Sequence, residues 1–138
     1  MAALIDSSVF IEVERRKLTA AAIFQFVGVE ERIAMSVVSV TELLLGVHLG
    51  SPLERRSARA AFVESVLNRV PIIPFDLYVA RVYSEVWAKL RLAGDLIAPH
   101  DLIIGTTALA HGFDVLTHNV RDFDRVPGLV VRVTLDIT

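Results

Sequence analysis

The chain has 138 residues, no cysteine and a formal net charge of −2. This length is typical of one domain whose core folds without disulfides or structural zinc, and the lack of cysteine excludes thiolate metal sites and cysteine nucleophiles. Although the mean hydropathy is high at +0.56, no apolar run reaches the ~20 residues of a membrane span, and the N-terminus lacks the basic segment of a signal peptide. We therefore expect one cytoplasmic domain over 1–138, with no membrane contact and with surplus apolar surface covered by a partner.

Short apolar runs alternate with helical patterns along the chain. The first half predicts a strand over 3–5, a helix from the Asp6–Ser8 cap through Leu18, a helix over 20–27, a polar break at 30–32, a strand over 33–35 and a helix from Ser36 or Ser39 to Leu49. The second half predicts a helix over 53–69, a strand over 70–75, helices over 76–92 and 99–110, and strands over 113–116 and 129–135. Two prolines in 70–75 favour an edge strand. This alternation predicts a three-layer α/β/α sandwich with a central, mostly parallel sheet.

Acidic side chains follow the predicted strands. Asp6 comes directly after the first strand, Glu42 lies in the helix after the second, and Asp101 lies in the first turn of the helix from Pro99. Asn119 and Asp122 follow the fourth strand. Ligands of such sheets bind at the carboxyl ends of the strands, where these segments converge. Two carboxylates ~4 Å apart repel by about 4 kcal/mol at an effective dielectric constant of 20, so such a cluster requires a cation.

Each acid also has an ordinary structural interpretation. Asp6 can cap a helix, Asp101 can complement a helix N-terminus, and Asp122 lies in a turn-like segment. Glu42 is flanked by Leu45 and Leu49 on its helix, which indicates a groove, an interface or a ligand. Gly105 and Ala108 lie on the face of Asp101 and leave room for a ligand or for close helix packing. The residues alone therefore predict an α/β domain with a candidate acidic metal site.

Four stretches resemble the PIN-domain family and, within it, the VapC-type toxins of bacterial toxin–antitoxin pairs. They are LIDSSV at 4–9, SVVSVTELLLG at 36–46, IAPHDLIIGTTA at 97–108, and THNVRDF at 117–123 followed by VPGL at 126–129. Their order and spacing cover nearly the whole chain, and they imply a single PIN-like nuclease domain. Gly105 stands where the family often has alanine, a change that we expect to be harmless.

The resemblance implies an endoribonuclease that depends on Mg²⁺, which Mn²⁺ can replace, and that cleaves RNA phosphodiester bonds with a metal-activated water. Asp6 and Asp101 would be direct ligands, and Glu42 and Asp122 would bind a second metal or its waters. Asn119 is the alternative fourth ligand, and Ser7 and Thr117 would orient ligands or waters. We interpret His100 as incidental, because neighbouring helix residues point ~100° apart, and His48, His111 and His118 as non-ligands.

The resemblance also implies partners. A VapB-like antitoxin would hold the enzyme inactive by placing its C-terminal segment in an apolar groove, and the toxin would form a homodimer or a toxin–antitoxin hetero-oligomer. Leu45, Leu49 and the 20–27 helix are candidates for the groove, and a stripe on the 76–92 helix is a candidate dimer face unless it packs in the core. That stripe comprises Tyr78, Val82, Val86 and Leu90. Candidate RNA-steering residues, with solvated surface as the alternative, are Arg15, Arg16, Lys17, Arg121 and Arg125.

Other enzyme classes fit less well. A phosphotransfer receiver requires a lysine after its last strand, and a haloacid-dehalogenase-like phosphatase requires Asp-x-Asp where this chain has Asp6-Ser7-Ser8. A glycine-rich phosphate loop is absent from the sequence. The remaining alternative is a non-catalytic PIN-like module that acts through protein or RNA interaction.

Overall fold

A five-stranded parallel sheet forms the centre of a computed structural model, which describes residues 2–27, 31–50 and 52–133. The strands are β1 (Ala2–Ile5), β2 (Arg32–Ser36), β3 (Ile72–Ile73), β4 (Asp114–Thr117) and β5 (Val131–Val133). Their order in the sheet is β3-β2-β1-β4-β5, and each neighbouring pair is parallel. The carboxyl ends of the three central strands therefore lie side by side at one edge.

Helices connect the strands and cover both faces of the sheet. They are α1 (Ser7–Arg15), α2 (Ile23–Val27), α3 (Val37–His48), α4 (Leu53–Arg69), α5 (Leu77–Leu92), α6 (Pro99–His111) and α7 (Val120–Phe123). Among the described ranges, none of these helices has both the length and the apolar character needed to cross a membrane.

Side chains alternate along the strands, so the core lies in two layers, one on each face of the sheet. Ala3 and Ile5 of β1 pack with buried residues of α1, α3 and α4, whereas Leu4 packs on the opposite face with Ile104 of α6 and Phe123 of α7. Val86 and Leu90 of α5 pack against Leu102 of α6 in an outer cluster. The predicted α/β/α sandwich is confirmed, with helices above and below a fully parallel sheet.

Most predicted elements form, but several boundaries differ. Helix α1 ends at Arg15 rather than near Leu18, because Lys17 adopts a left-handed conformation with φ of 57°. The 20–27 helix begins as a 3₁₀ turn over Ala20–Ala22. Ser36 caps α3, since its hydroxyl accepts a hydrogen bond from the Val38 N–H at 3.1 Å.

The two outer strands are shorter than predicted. The run over 70–75 yields only β3, because its flanking prolines cannot donate to a strand ladder. It lies at the sheet edge, as the prolines predict. The last strand covers 131–133 of the predicted 129–135; the remainder of that prediction, from 134, and Glu30 of the predicted polar break lie outside the described residues.

Candidate active site

Four carboxylates meet at the carboxyl-end edge of the sheet. Asp6 follows β1, Glu42 lies in α3 beyond β2, Asp101 lies in the first turn of α6, and Asp122 lies in α7 beyond β4. Their proximity is evident at Asp101, whose pKa is raised to about 7. The largest cause is burial, followed by the neighbouring carboxyl group of Asp122 and then by the charges of Asp6, Asp122 and Glu42. The sheet therefore brings together the four acids that the sequence places after separate strands.

Asp6 is the most tightly held of these acids. Its side chain is buried, and Oδ2 accepts hydrogen bonds from the hydroxyls of Ser8 at 2.7 Å and Thr117 at 2.9 Å. Those hydroxyls in turn accept hydrogen bonds from backbone N–H groups: His118 donates to Ser8 at 3.2 Å and Asn119 donates to Thr117 at 2.8 Å. No described donor is bonded to Oδ1, so this network orients the carboxylate and leaves one oxygen available.

Glu42 lies between a serine and a histidine. The Ser7 hydroxyl donates to Oε1 at 3.0 Å, and Nδ1 of His100 lies 3.7 Å from Oε2. Burial raises the pKa of Glu42, and the charge of Asp6 adds to this, whereas the hydrogen bond from Ser7 and the nearby His100 oppose it. Glu42 is therefore part of the acidic cluster rather than a solvated surface residue, and our interpretation of His100 as incidental is wrong.

Arg125 compensates the charge of Asp122, which lies on the other side of Asp6 from Glu42. Its Nη2 lies 2.8 Å from Oδ1 of Asp122, and its Nη1 lies 2.8 Å from Oδ1 of Asp95. A guanidinium held by two carboxylates has few donors left for a nucleic acid. The prediction that Arg125 steers RNA is therefore not supported, because this side chain braces Asp122.

The open arrangement of the acids suits a hydrated divalent cation. Within 2–27, 31–50 and 52–133, no three His, Asp or Glu side chains stand in ligand positions around one point. Mg²⁺ usually takes one or two carboxylates and keeps several waters, so it does not require a closed cage of side chains. The hard oxygen donors, the available Oδ1 of Asp6 and the raised pKa of Asp101 all fit such an ion.

Of the two candidates for the fourth site residue, Asp122 lies beside another acid of the cluster. The carboxyl group of Asp122 contributes to the raised pKa of Asp101, whereas the Asn119 residue is exposed and its bond to Thr117 comes from the backbone. Gly105 packs against Phe123, Val126 and Leu129, so the small residue serves helix packing and does not leave space for a ligand.

The comparisons with known proteins identify the family. A PIN-domain model matches residues 3–129. The chain belongs to the PIN-domain family. This PIN domain is 33% identical over 131 residues to Ribonuclease VapC1 of Rickettsia felis, with 95% of each chain covered. Its fold resembles that of DNA-bound VapBC from Salmonella typhimurium, with a TM-score of 0.84, 24% identity and coverage of 98% and 99% of the two chains. A member of the VapBC family of toxin–antitoxin systems from Mycobacterium tuberculosis, VapBC-5, gives a TM-score of 0.73 at 26% identity, with 98% of both chains covered.

The structure revises the predicted partner surfaces of this PIN domain. Leu45 and Leu49 are exposed, at 54% and 74%, as a groove on α3 requires. In the 20–27 segment, however, Ala20, Ala22 and Ile23 are buried in the core and are not available to a partner. In the α5 stripe, Val86 and Leu90 pack against α6, as its core-packing alternative predicts, whereas Tyr78 stays exposed and its hydroxyl donates to the Ala110 carbonyl at 2.7 Å.

Three site residues escaped the sequence interpretation. Ser8, His100 and Arg125 each contact an acid. Ser8 and Arg125 have a local signal, because Ser8 lies two positions after Asp6 and Arg125 lies three positions after Asp122. His100 reaches Glu42 across the fold and has none. Of the other basic residues predicted to steer RNA, Arg15 pairs with Glu12, as does Arg16.

Proposed function

We propose that this PIN domain is a Mg²⁺-dependent endoribonuclease and the toxin of a toxin–antitoxin pair. The observation that carries the proposal is the convergence of Asp6, Glu42, Asp101 and Asp122 at one edge of the sheet. The relative from Rickettsia felis is named a ribonuclease, and VapBC-5 belongs to a family of toxin–antitoxin systems, which supports the same activity and role.

Each acid has a distinct task in this proposal. Asp6 and Asp101 bind the cation directly, since Asp6 has an oxygen without a bonded donor and Asp101 lies among like charges that a cation would relieve. Glu42 and Asp122 orient waters or a second ion, because Ser7, His100 and Arg125 already occupy part of their hydrogen-bonding capacity. When bound, the cation activates the attacking water and stabilises the charge that develops on the phosphate.

The Ser8–Thr117 pair keeps the first ligand in place. Both hydroxyls hold Oδ2 of Asp6, and both are themselves held by backbone N–H groups of the loop after β4. This arrangement fixes the direction of Oδ1 before a cation or substrate binds. Such outer contacts typically change metal affinity by ~10–100-fold when they are removed.

We further propose that the antitoxin binds beside the acids. A cleft of about 100 Å³ lies between α1, α3 and α4, with Ile11, Leu43, Phe62 and Val63 on its apolar walls and Glu42 among its lining residues. The exposed Leu45 lies on the same helix, α3, as Glu42 and Leu43 of this cleft, and the exposed Leu49 directly follows that helix. An apolar antitoxin segment laid there would restrict access of RNA to Glu42.

RNA cleavage by purified, antitoxin-free protein tests the enzymatic proposal. We expect fragments from total RNA in Mg²⁺ or Mn²⁺, none in EDTA, and loss of cleavage in Asp6→Ala and Asp101→Ala. Asp124→Ala is the control for loss of one carboxylate: Asp124 is exposed at the end of α7 and lies outside the cluster. Mn²⁺ titration calorimetry on the same proteins should show weaker binding only in the two cluster variants.

The same experiment separates the proposed nuclease from a non-catalytic PIN-like module. Absence of both cleavage and Mn²⁺ binding would favour the module. Equal cleavage by the wild type and both cluster variants would indicate a contaminating nuclease and would contradict the assignment of these acids. Induced expression in bacteria tests the toxin role, because growth should stop with the wild type and continue with Asp101→Ala.

A further inference from the structure

A second cleft opens at the opposite edge of the sheet from the acids. It has a volume of about 610 Å³, within the range typical of ligand sites. Arg32 begins β2 and Phe113 immediately precedes β4, whereas Asp6 and Asp122 follow the other ends of their strands. A five-residue strand is ~13 Å from its first to its last residue, so the two sites lie at opposite ends of the sheet.

The cleft presents positive charge that the described protein leaves uncompensated. The side chains of Arg32 and Arg69 are both exposed, and neither guanidinium group forms a hydrogen bond or ion pair with any residue in 2–27, 31–50 or 52–133. The described acid in the lining, Glu31, is paired with Arg132, which also lies 3.2 Å from Asp114. Two guanidinium groups therefore face a cavity whose own carboxylate is already neutralised.

Aromatic rings lie beside these guanidinium groups. Phe24 and Phe113 line the cleft, both half-buried, and the guanidinium carbon of Arg32 lies 5.8 Å from the centre of the Phe113 ring. An arginine stacked on a ring keeps the N–H groups at its edge available for a phosphate. The lining thus combines two phosphate-binding groups with surfaces on which a flat base can stack.

We propose that this cleft is a second RNA-contact site, in which Arg32 and Arg69 bind backbone phosphates and Phe113 stacks on a base. The proposal rests on the proposed nuclease function and adds a site remote from the acids. Charge alone would also fit an acidic peptide, but a peptide carboxylate does not use the rings, whereas bases stack on aromatic side chains regardless of sequence. The exposed arginines suit a polymer that passes over the cleft.

Binding of labelled RNA in EDTA isolates this site from catalysis. Without divalent cations, the four acids repel RNA and cleavage stops, so the remaining affinity reports other contacts. For a mixed-sequence 20-nucleotide single strand at low salt, we expect the Arg32→Gln, Arg69→Gln double variant to bind about tenfold more weakly. The slope of log affinity against log salt should fall by about 1.4, since each phosphate contact on a single strand contributes ~0.7.

A matched charge control excludes a general electrostatic effect. Arg81 and Arg91 of α5 are exposed and, within the described ranges, are also without an ion pair. The Arg81→Gln, Arg91→Gln variant loses the same charge and should keep most of its affinity. Equal losses in the two double variants, or unchanged binding by Arg32→Gln, Arg69→Gln, would overturn the proposal.

Phe113 variants test whether the ligand is a nucleotide rather than any polyanion. Phe113→Leu should bind the RNA several-fold more weakly but bind inorganic polyphosphate, which has no bases, as the wild type does. Phe113→Tyr keeps a ring and should restore RNA binding, which separates stacking from a general folding defect. If Phe113→Leu binds RNA normally, or if poly-glutamate competes as well as RNA, the nucleotide assignment is wrong.

Failure of this proposal is distinguishable from failure of the nuclease proposal. Loss of affinity in Arg32→Gln, Arg69→Gln with no cleavage by any protein would support the RNA-contact site and contradict the nuclease. Metal-dependent cleavage with unchanged RNA affinity in that variant would support the nuclease and contradict the second site. Thermal melting of each variant should agree with the wild type within a few degrees, because both arginines are exposed.

Discussion

Replacing Thr117 by valine removes one hydroxyl from the centre of the acidic site. This hydroxyl is fully buried; it donates to Oδ2 of Asp6 at 2.9 Å and accepts from the Asn119 N–H at 2.8 Å. Valine has nearly the same shape, so the core packing of β4 should remain. Asp6 would retain only the bond from Ser8, and the Asn119 N–H would lose its acceptor.

The expected loss of stability follows from these two bonds. A hydrogen bond to a charged group contributes ~1.5–3 kcal/mol, and a partly buried donor left without an acceptor costs ~1 kcal/mol more. Some of this is offset because valine avoids burying a hydroxyl, so we expect the free energy of unfolding to fall by about 2–3 kcal/mol. Asp6 would also be less well oriented, which should weaken Mn²⁺ binding by ~10-fold or more.

Urea unfolding in EDTA and Mn²⁺ calorimetry measure the two effects separately. Thr106→Val is the matched control, since Thr106 is equally buried but its hydroxyl donates to the Leu102 carbonyl within α6 at 2.7 Å. We expect this control to lose less than about 1 kcal/mol, a typical net value for a neutral hydrogen bond, and to bind Mn²⁺ normally. Equal stability losses in the two variants, with Mn²⁺ affinity unchanged in both, would refute the reasoning about the Asp6 network.

Three further predictions concern the charges around the site and one strained residue. The pKa of Asp101 is raised from 3.8 to about 7 in the folded protein. Between these pH values the folded protein therefore holds a proton that the unfolded chain has released, so the free energy of unfolding in EDTA should fall as pH rises from about 4 to 7. After allowance for solvent screening, we expect this fall to be ~1–2 kcal/mol larger than in Asp101→Asn. Parallel pH profiles of the two proteins would contradict this. Arg125→Gln should lower stability by ~1–2 kcal/mol in EDTA and by less in excess Mg²⁺, because the ion replaces the lost charge beside Asp122; equal losses in both buffers would contradict it. Lys17→Gly should stabilise the protein by ~0.5–1 kcal/mol, since φ is 57° at this position, whereas Lys17→Ala should give no gain in urea unfolding.

The central fold could be predicted because its determinants are local. The strands β1, β2 and β4 are apolar runs buried on both faces, and each is followed by a cap or turn that begins a helix. Their boundaries depend on backbone details that composition does not reveal. The left-handed conformation of Lys17, for example, ends α1 early, although Leu18 continues the apolar pattern.

The positions of the four acids were predictable for a topological reason. Parallel strands with helical crossovers bring their carboxyl ends to one edge, so an acid after each strand reaches a common site. The contacts that support those acids were less accessible to sequence reasoning. Arg125 binds Asp95 and Asp122, residues 30 and 3 positions away, and only the packing of α5 against α6 brings the first of these near.

The predicted partner surfaces failed where amphipathic patterns had two explanations. The α5 stripe and the 20–27 segment are apolar in sequence, but Val86 and Leu90 of the stripe pack against α6, and Ala20 and Ile23 of the segment pack in the main core. An apolar face alone does not distinguish core packing from an interface. Leu45 and Leu49 differ because α3 already buries its other face through Val40, Leu43 and Val47.

The order of the sheet explains why the acidic edge depends on strand register more than on loop length. β1 lies at the centre, with β2 and β4 as its neighbours, so Asp6 lies between the segments that carry Glu42 and Asp122. A slip of one residue in β1 would turn Asp6 to the other face and break its bonds with Thr117, because side chains alternate along a strand. The backbone bond from the Asp6 N–H to the Leu116 carbonyl at 2.9 Å extends the β1–β4 pairing by one residue. The last hydrogen bond of the central ladder thus fixes the position of the residue that we propose as the first metal ligand.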